Sequence, residues 1–298
     1  MPTQLAIYQP REVDEALGLL ERLGDGAKVL AGGTAMMIML RQRLIAPEAL
    51  VSIGLIPGLD SIEIVGDQVH IGALASHRSV ELSSVVREHL PVLAQTFGKV
   101  ANVRVRNVAT VGGVLAEADY ASDPPAVLVG LDADIQVRGL SGDRSIRATD
   151  FFRAFYETAL EPGEIVTRVR IPLQPLGTGA VYEKFVTRSA EDRPCIGVFA
   201  ACHAIAGGRF DNVRVVVGAA SEIPQRFTDI EALGNGTDLQ YDVCVRIAHA
   251  YADRIKPLDD IRGSSWYRLE MVKVWVQRAL QNARTQAIGY VGSLSFDD

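Results

Sequence analysis

The chain is 298 residues long, 48% hydrophobic, 22% charged and 6% aromatic, with a formal net charge of -6 at pH 7. Hydrophobic cores stop growing near ~250–300 residues and ordinary domains run ~100–200, so a chain of this length should hold two or three subdomains. The near-average charged fraction excludes wholesale disorder, and a mildly acidic chain is not built to grip phosphate backbones, so no nucleic-acid partner is expected.

Val13, Ala16, Leu17, Leu20 and Leu23 recur at helical spacing and stop at Gly24 and Gly26, which predicts an amphipathic helix over residues 11–23. A short apolar run at 27–31, the tight turn Gly32-Gly33-Thr34 and a Met-rich stretch at 35–43 read as strand, turn and helix. Residues 49–53 form a further strand, and 62–65 with 69–73 form a hairpin about Gly66-Asp67-Gln68. Pro91 suits the first turn of a helix running to about Val100, and 103–108 leads into a second glycine pair, Gly112-Gly113. Strands follow at 132–137 and 164–171, and Pro and Gly crowd residues 172–179 as in a linker. Beyond it, 181–186, 196–205 and 213–219 read as strands, the last two joined across Gly207-Gly208, and 241–254 and 265–286 as helices. The pattern is that of an α+β chain in two main parts, divided near residue 175.

The first ten residues lack the basic run, apolar stretch and small-residue site of a secretory leader, and apolar runs such as 213–220 are far shorter than the ~18 residues a spanning helix needs. A cytoplasmic protein without a membrane span is the expectation. Cys195, Cys202 and Cys244 are widely spaced, and the five histidines at 70, 77, 89, 203 and 249 form no pair at a ligand interval, so no metal is expected on this chain.

Two segments share a chemical idea: Ala31-Gly32-Gly33-Thr34-Ala35 and Thr110-Val111-Gly112-Gly113-Val114. Paired glycines let backbone N–H groups approach an oxygen-rich ligand, and a neighbouring Thr hydroxyl adds a further hydrogen bond. The first pair opens a predicted helix, whose N-terminal amides favour an anionic group. Together the two segments suit a pyrophosphate. Taken singly, a Gly-Gly pair is as well explained by a tight turn, and neither segment has Walker or G-x-G-x-x-G spacing.

These segments, with Val105-Arg106-Asn107-Val108-Ala109 before the second and Ser122-Asp123 after it, resemble the flavin-binding medium subunits of molybdenum hydroxylases, the carbon monoxide dehydrogenase and xanthine dehydrogenase relatives. The resemblance continues, in order, through Thr158-Ala159-Leu160-Glu161-Pro162-Gly163-Glu164-Ile165, Tyr182-Glu183-Lys184 and the stretch from Asp260-Ile261-Arg262-Gly263 to Arg268. It implies a p-cresol methylhydroxylase-type FAD-binding domain over 1–175, made of two α+β subdomains at about 1–57 and 58–175. A C-terminal domain of antiparallel sheet packed with helices would occupy 176–298.

By the same resemblance, Val29, Leu30, Ala31, Gly32, Gly33, Thr34, Ala35 and Met36 form the first pyrophosphate loop, and Thr110, Val111, Gly112, Gly113 and Val114 the second. Asp123 would accept a hydrogen bond from the ribityl or ribose region, Val100 and Val166 would line the FAD pocket, and Lys184 would steady negative charge on the reduced ring. No catalytic side chain and no metal ligand is implied. Residues 186–194 correspond to a loop near the isoalloxazine that governs acceptor access. Relatives can carry an aromatic shield there, and this sequence has none in that stretch. Val114 stands where the family usually has Asn, at a loss of ~0.5–1.5 kcal/mol for one net hydrogen bond. The stretch 260–263 is assigned structural and inter-subunit work.

The implied function is an oxidoreductase subunit of a molybdenum hydroxylase. Electrons pass from molybdopterin in a large subunit, through two [2Fe–2S] clusters in a small iron–sulfur subunit, to FAD here and on to an external acceptor. The implied assembly is a dimer of heterotrimers, and the isolated chain should bind FAD without oxidising the organic substrate. Three rival readings use the same glycines: a stand-alone FAD oxidoreductase of the same fold, a scaffold that has lost its flavin, and an FAD-free nucleotide-binding module. The first would need its own substrate domain and proton donor. Val114 favours the second, and the intact glycine pairs count against it.

Overall fold

A computed structural model describes residues 5–294, with side chains to residue 290. The described residues build three larger sheets, besides a two-stranded pairing of Phe152–Ala154 with Glu157–Thr158. In the first, Ala49–Ser52 lies between Ala6–Tyr8 and Ala27–Leu30, all parallel. Parallel neighbours need a crossover, and the predicted amphipathic helix supplies it as Val13–Leu23, burying Ala16, Leu17, Leu19 and Leu20 and ending at Gly24 with φ 55°. The strand Ala6–Tyr8 is not anticipated by the sequence, because three residues offer too little alternation to register.

The second sheet is antiparallel, in the order Ile62–Val65, Gln68–Gly72, Ile165–Pro172, Asp134–Gly139, Gly142–Arg147. Its apolar face, with Val69, Ile71, Ile135, Val137 and Val169, packs on helices Pro91–Gly98, Val111–Glu117 and Asp123–Gly130. The last helix is legible only afterwards. Its eight residues are all buried, so it shows no polar face, and the rings of Pro124 and Pro125 sit in the first helical turn, where a missing N–H costs nothing.

The third sheet orders Thr178–Phe185, Ile196–Ile205, Arg209–Gly218 and Gln225–Arg226, all antiparallel. Strand alternation divides its side chains between two cores. Val198, Ala200, Val215 and Val217 face helices Tyr241–Arg254 and Ser265–Leu294, while Tyr182, Phe199, Ala201 and Val216 join the core of the second sheet. The buried helix Asp123–Gly130 is thus clasped from both sides. At Gly130 a Cβ would stand 2.1 Å from the Phe199 ring, so glycine there sets how closely the two layers meet. The expected linker is shorter than its composition suggests and is tied down by Leu173 N–H to Asp67 O and Thr178 N–H to Pro175 O.

Asp260 ties the C-terminal part to the middle one. It accepts from the Arg262 backbone N–H at 2.7 Å, from the Tyr120 hydroxyl at 2.9 Å and from the wholly buried Arg268 at 2.6 Å. Burial alone would raise its pKa, but these hydrogen bonds outweigh it and hold the carboxyl at about 2. The structural half of the expectation for 260–263 is met. No helix among the described residues is long and apolar enough to cross a membrane.

Candidate functional site

Between the first sheet and the elements around the second, the chain encloses a cavity of about 880 Å³, within the range of small-molecule and cofactor sites. Val29, Ala31, Gly32, Gly33, Thr34, Ala35 and Met36 line one wall, and Val100, Thr110, Gly112, Gly113, Val114, Asp123, Val166 and Lys184 line the others. Leu30 and Val111 are not on the lining; Val111 is core, 1% exposed. The first glycine segment meets the stretch leading into the second at Gly32, where a Cβ would fall 1.9 Å from the Val108 carbonyl oxygen.

The first segment leaves the strand Ala27–Leu30, turns through Gly33 at φ 73° and enters the helix Met36–Arg41. The amides of Gly32, Gly33, Thr34, Ala35 and Met36 find no acceptor among the described residues, while the helix beyond begins with Met37 N–H to Gly33 O at 2.9 Å. Consecutive unpartnered N–H groups at a turn into a helix form a ready anion cradle.

The second segment does the opposite. Val111 N–H donates to Ala75 O at 3.0 Å and Gly112 N–H to Ala73 O at 2.7 Å. Gly113 N–H donates to the Thr110 hydroxyl oxygen at 3.1 Å, and Val114 N–H to Thr110 O at 3.0 Å. The expectation that this pair offers free amides to a phosphate is therefore corrected. Its glycines answer to packing: a Cβ on Gly112 would stand 2.6 Å from that of Ala73, and one on Gly113 would stand 2.7 Å from Thr110 Oγ1. They let the helix Val111–Glu117 close against the strand end, with Thr110 as its N-cap.

Asp123 and Lys184 meet in the interior. Asp123 Oδ1 accepts from the Tyr182 hydroxyl at 2.8 Å and Oδ2 from Lys184 Nζ at 2.9 Å. Lys184 Nζ also donates to Lys99 O at 2.8 Å, and Lys99 Nζ to Tyr182 O at 2.7 Å. Burial pushes the Asp123 carboxyl up, with the Lys184 ammonium and the two hydrogen bonds opposing. Each oxygen of Asp123 thus holds a protein donor already, and Lys184 is no solvated strand lysine. Tyr182 carries the resemblance with Lys184 but is given no role by it, although residues 182 and 184 of one strand share a face.

Three further lining residues were missed. His77 is buried with both ring nitrogens unpartnered. Glu117 is pushed up to about 6, first by burial and then by the neighbouring Asp119 carboxylate, with Arg193 opposing. Tyr156 brings an aromatic ring to the lining, as no residue of the stretch 186–194 does. That stretch brings Glu191, Asp192 and Arg193 to the lining, and Arg193 lies 2.6 Å from the buried carboxylate of Asp119. A cradle of free amides, a buried lysine and a long, largely apolar wall suit a dinucleotide with a pyrophosphate and a flat ring system, so the residues fit FAD.

The comparisons with known proteins agree with this geometry. Residues 3–174 match the family model described as FAD binding domain in molybdopterin dehydrogenase, and residues 180–283 the CO dehydrogenase flavoprotein C-terminal domain. The chain is 31% identical to the glyceraldehyde dehydrogenase medium chain of Sulfolobus acidocaldarius, over 94% of this chain and 98% of that one. It is 30% identical to the carbon monoxide dehydrogenase medium chain of Afipia carboxidovorans, over 96% and 99%. Among solved structures it is similar to carbon monoxide dehydrogenase from Hydrogenophaga pseudoflava, with a TM-score of 0.92, 32% identity and 96% and 99% of the two chains covered. Quinoline 2-oxidoreductase from Pseudomonas putida 86 follows at 0.90, 27% identity, 95% and 98%.

Proposed function

Because the chain belongs to the family of FAD-binding domains of molybdopterin dehydrogenases, we propose that it is the flavoprotein subunit of a molybdenum hydroxylase complex. A small iron–sulfur subunit and a large molybdenum subunit are its partners. The three chains assemble as a dimer of heterotrimers. Bound FAD supplies a ring that takes up electrons arriving from [2Fe–2S] clusters and yields them to an external acceptor, chemistry no side chain can perform.

This chain binds and tunes that group. The amides from Gly32 to Met36 hold the pyrophosphate, and the second segment, through Thr110 and the apolar Val114, shapes the opposite wall. Asp123, fixed by Tyr182, holds Lys184 at the cavity, where the ammonium offsets negative charge on a reduced ring. Val100 and Val166 exclude water from it. The FAD-binding part spans 1–175, with subdomains at about 1–57 and 58–175, and the C-terminal part spans 176–298. In support, each sheet falls within one of these spans. A cytoplasmic setting belongs to the same proposal, supported by three buried free thiols at Cys195, Cys202 and Cys244.

The observation that carries the reading is the run of unpartnered amides opening on the same cavity as Lys184. Purification with the neighbouring gene products should yield a flavin spectrum, released FAD, and molybdenum and iron in the same peak. A solitary chain that turns over an organic substrate alone would point to the stand-alone oxidoreductase, and a complex without flavin to the scaffold.

A further inference from the structure

His77 is 2% exposed, and neither Nδ1 nor Nε2 has a hydrogen-bond partner among the described residues. Such a ring is uncommon, since buried polar atoms are almost always paired and an unpaired one costs its full desolvation. The ring is also held in place. His77 N–H donates to Ala109 O at 2.8 Å, and the helix it opens, His77–Leu82, is capped by Ser76, whose hydroxyl oxygen accepts from Ser79 N–H at 2.9 Å. The wholly buried Phe97 meets the imidazole edge to face, 4.8 Å between centroids at 76°. The imidazole therefore stays where it is, beside Thr110 and Gly112 on the lining of the cavity.

Burial lowers the pKa of this histidine to about 4, the Arg106 cation acting the same way and the Thr110 backbone opposing without a hydrogen-bonding geometry. At neutral pH the ring presents one N–H and one lone pair. A phosphate oxygen only accepts and would leave the second nitrogen unpaired. A sugar hydroxyl, the N–H and carbonyl edge of a flavin, or the amino and ring-nitrogen edge of adenine both gives and takes.

We infer that His77 is a contact residue for the flavin dinucleotide, giving one hydrogen bond to, and taking one from, the hydroxyl-bearing or ring portion of the bound molecule. The inference rests on the reading that this cavity holds FAD. Its test begins with wild-type protein, purified with its partner subunits, stripped of flavin and titrated with FAD. Failure to take up FAD would sink that reading, independently of anything at His77.

If the wild type binds, His77→Phe should bind FAD roughly fivefold to a hundredfold more weakly, the equivalent of two net hydrogen bonds. Its flavin-free form should melt no lower than wild type, because two unpaired buried nitrogens are gone. His77→Gln should recover part of the affinity. Unchanged FAD affinity in His77→Phe, or a fall in melting temperature with no change in affinity, would overturn the inference. Should the Phe variant fail to fold, histidine-15N wild-type protein decides the matter: the ring-nitrogen resonances of His77 shift on adding FAD, or, if they stay put, the contact does not exist.

Discussion

The two glycine pairs look alike in sequence and behave as opposites in the fold. At Gly32-Gly33 the backbone leaves a strand edge, turns through a positive φ and runs into a helix with five amides free. At Gly112-Gly113 the amides are consumed by the backbone at 73–75 and by the Thr110 cap. Both pairs mark a close approach. At Gly32 and Gly112 alike the space is taken by the protein itself, through Val108 and Ala73; the pairs differ in their amides, free at the first and bonded at the second. A glycine pair therefore reports that side-chain bulk is forbidden, and does not report whether its amides are free.

Substitutions at these positions separate the two roles. The largest effect should come from Gly32→Ala, because the added Cβ meets the Val108 carbonyl carbon at 2.8 Å as well as its oxygen and cannot be accommodated without parting the first segment from the stretch leading into the second. Flavin retention should vanish and unfolding free energy should fall by about 3 kcal/mol, seen by released-flavin assay and denaturant unfolding. Gly112→Ala should cost roughly 1–3 kcal/mol of stability through its clash with Ala73, yet keep FAD binding wherever the variant is folded. If it loses FAD without losing stability, the second pair acts on the ligand after all.

Gly33→Ala should invert that pattern. Its positive φ costs an alanine about 1–2 kcal/mol, and the nearest contact, Leu30 Cδ1 at 3.2 Å, is a side chain able to give way. Loss of even one amide bond to the pyrophosphate weakens FAD binding by roughly tenfold to a hundredfold, measurable by fluorescence titration.

The smallest effect concerns Glu117, at the far end of the helix opened by the second pair. Its folded pKa of about 6 lies above the ordinary 4.5, so the native state holds more protons than the unfolded state between those values. The contribution is fully present below pH 4.5 and is lost as pH rises through 6, which makes stability fall across that window by roughly 1–2 kcal/mol. Glu117→Gln should flatten this part of the flavin-free stability profile. A slope identical to wild type would mean that the carboxyl is solvated.

Much of the fold was legible because its signals are local. The helix Val13–Leu23 announces itself by spacing and a glycine stop, and the hairpin Ile62–Val65 to Gln68–Gly72 by its Gly66-Asp67 turn. The helix Asp123–Gly130 was not, because burial on every side erases the amphipathic pattern by which helices are recognised. At the site, residue order pointed to the glycine segments, Asp123 and Lys184, but gave no role to Tyr182 or His77, whose significance lies in what does or does not stand beside them.

By itself the sequence determined the family to which the chain belongs, the alternation that gives the last sheet its two faces, and the small residues at which backbones must approach. Tertiary structure alone decided which amides remain free, that Asp123 is already held by Tyr182 and Lys184, and that His77 is left unpaired. The reason is that a hydrogen-bond partner is set by whichever distant segment passes within about 3 Å. Ala73 silences Gly112, and no comparable segment reaches Gly33.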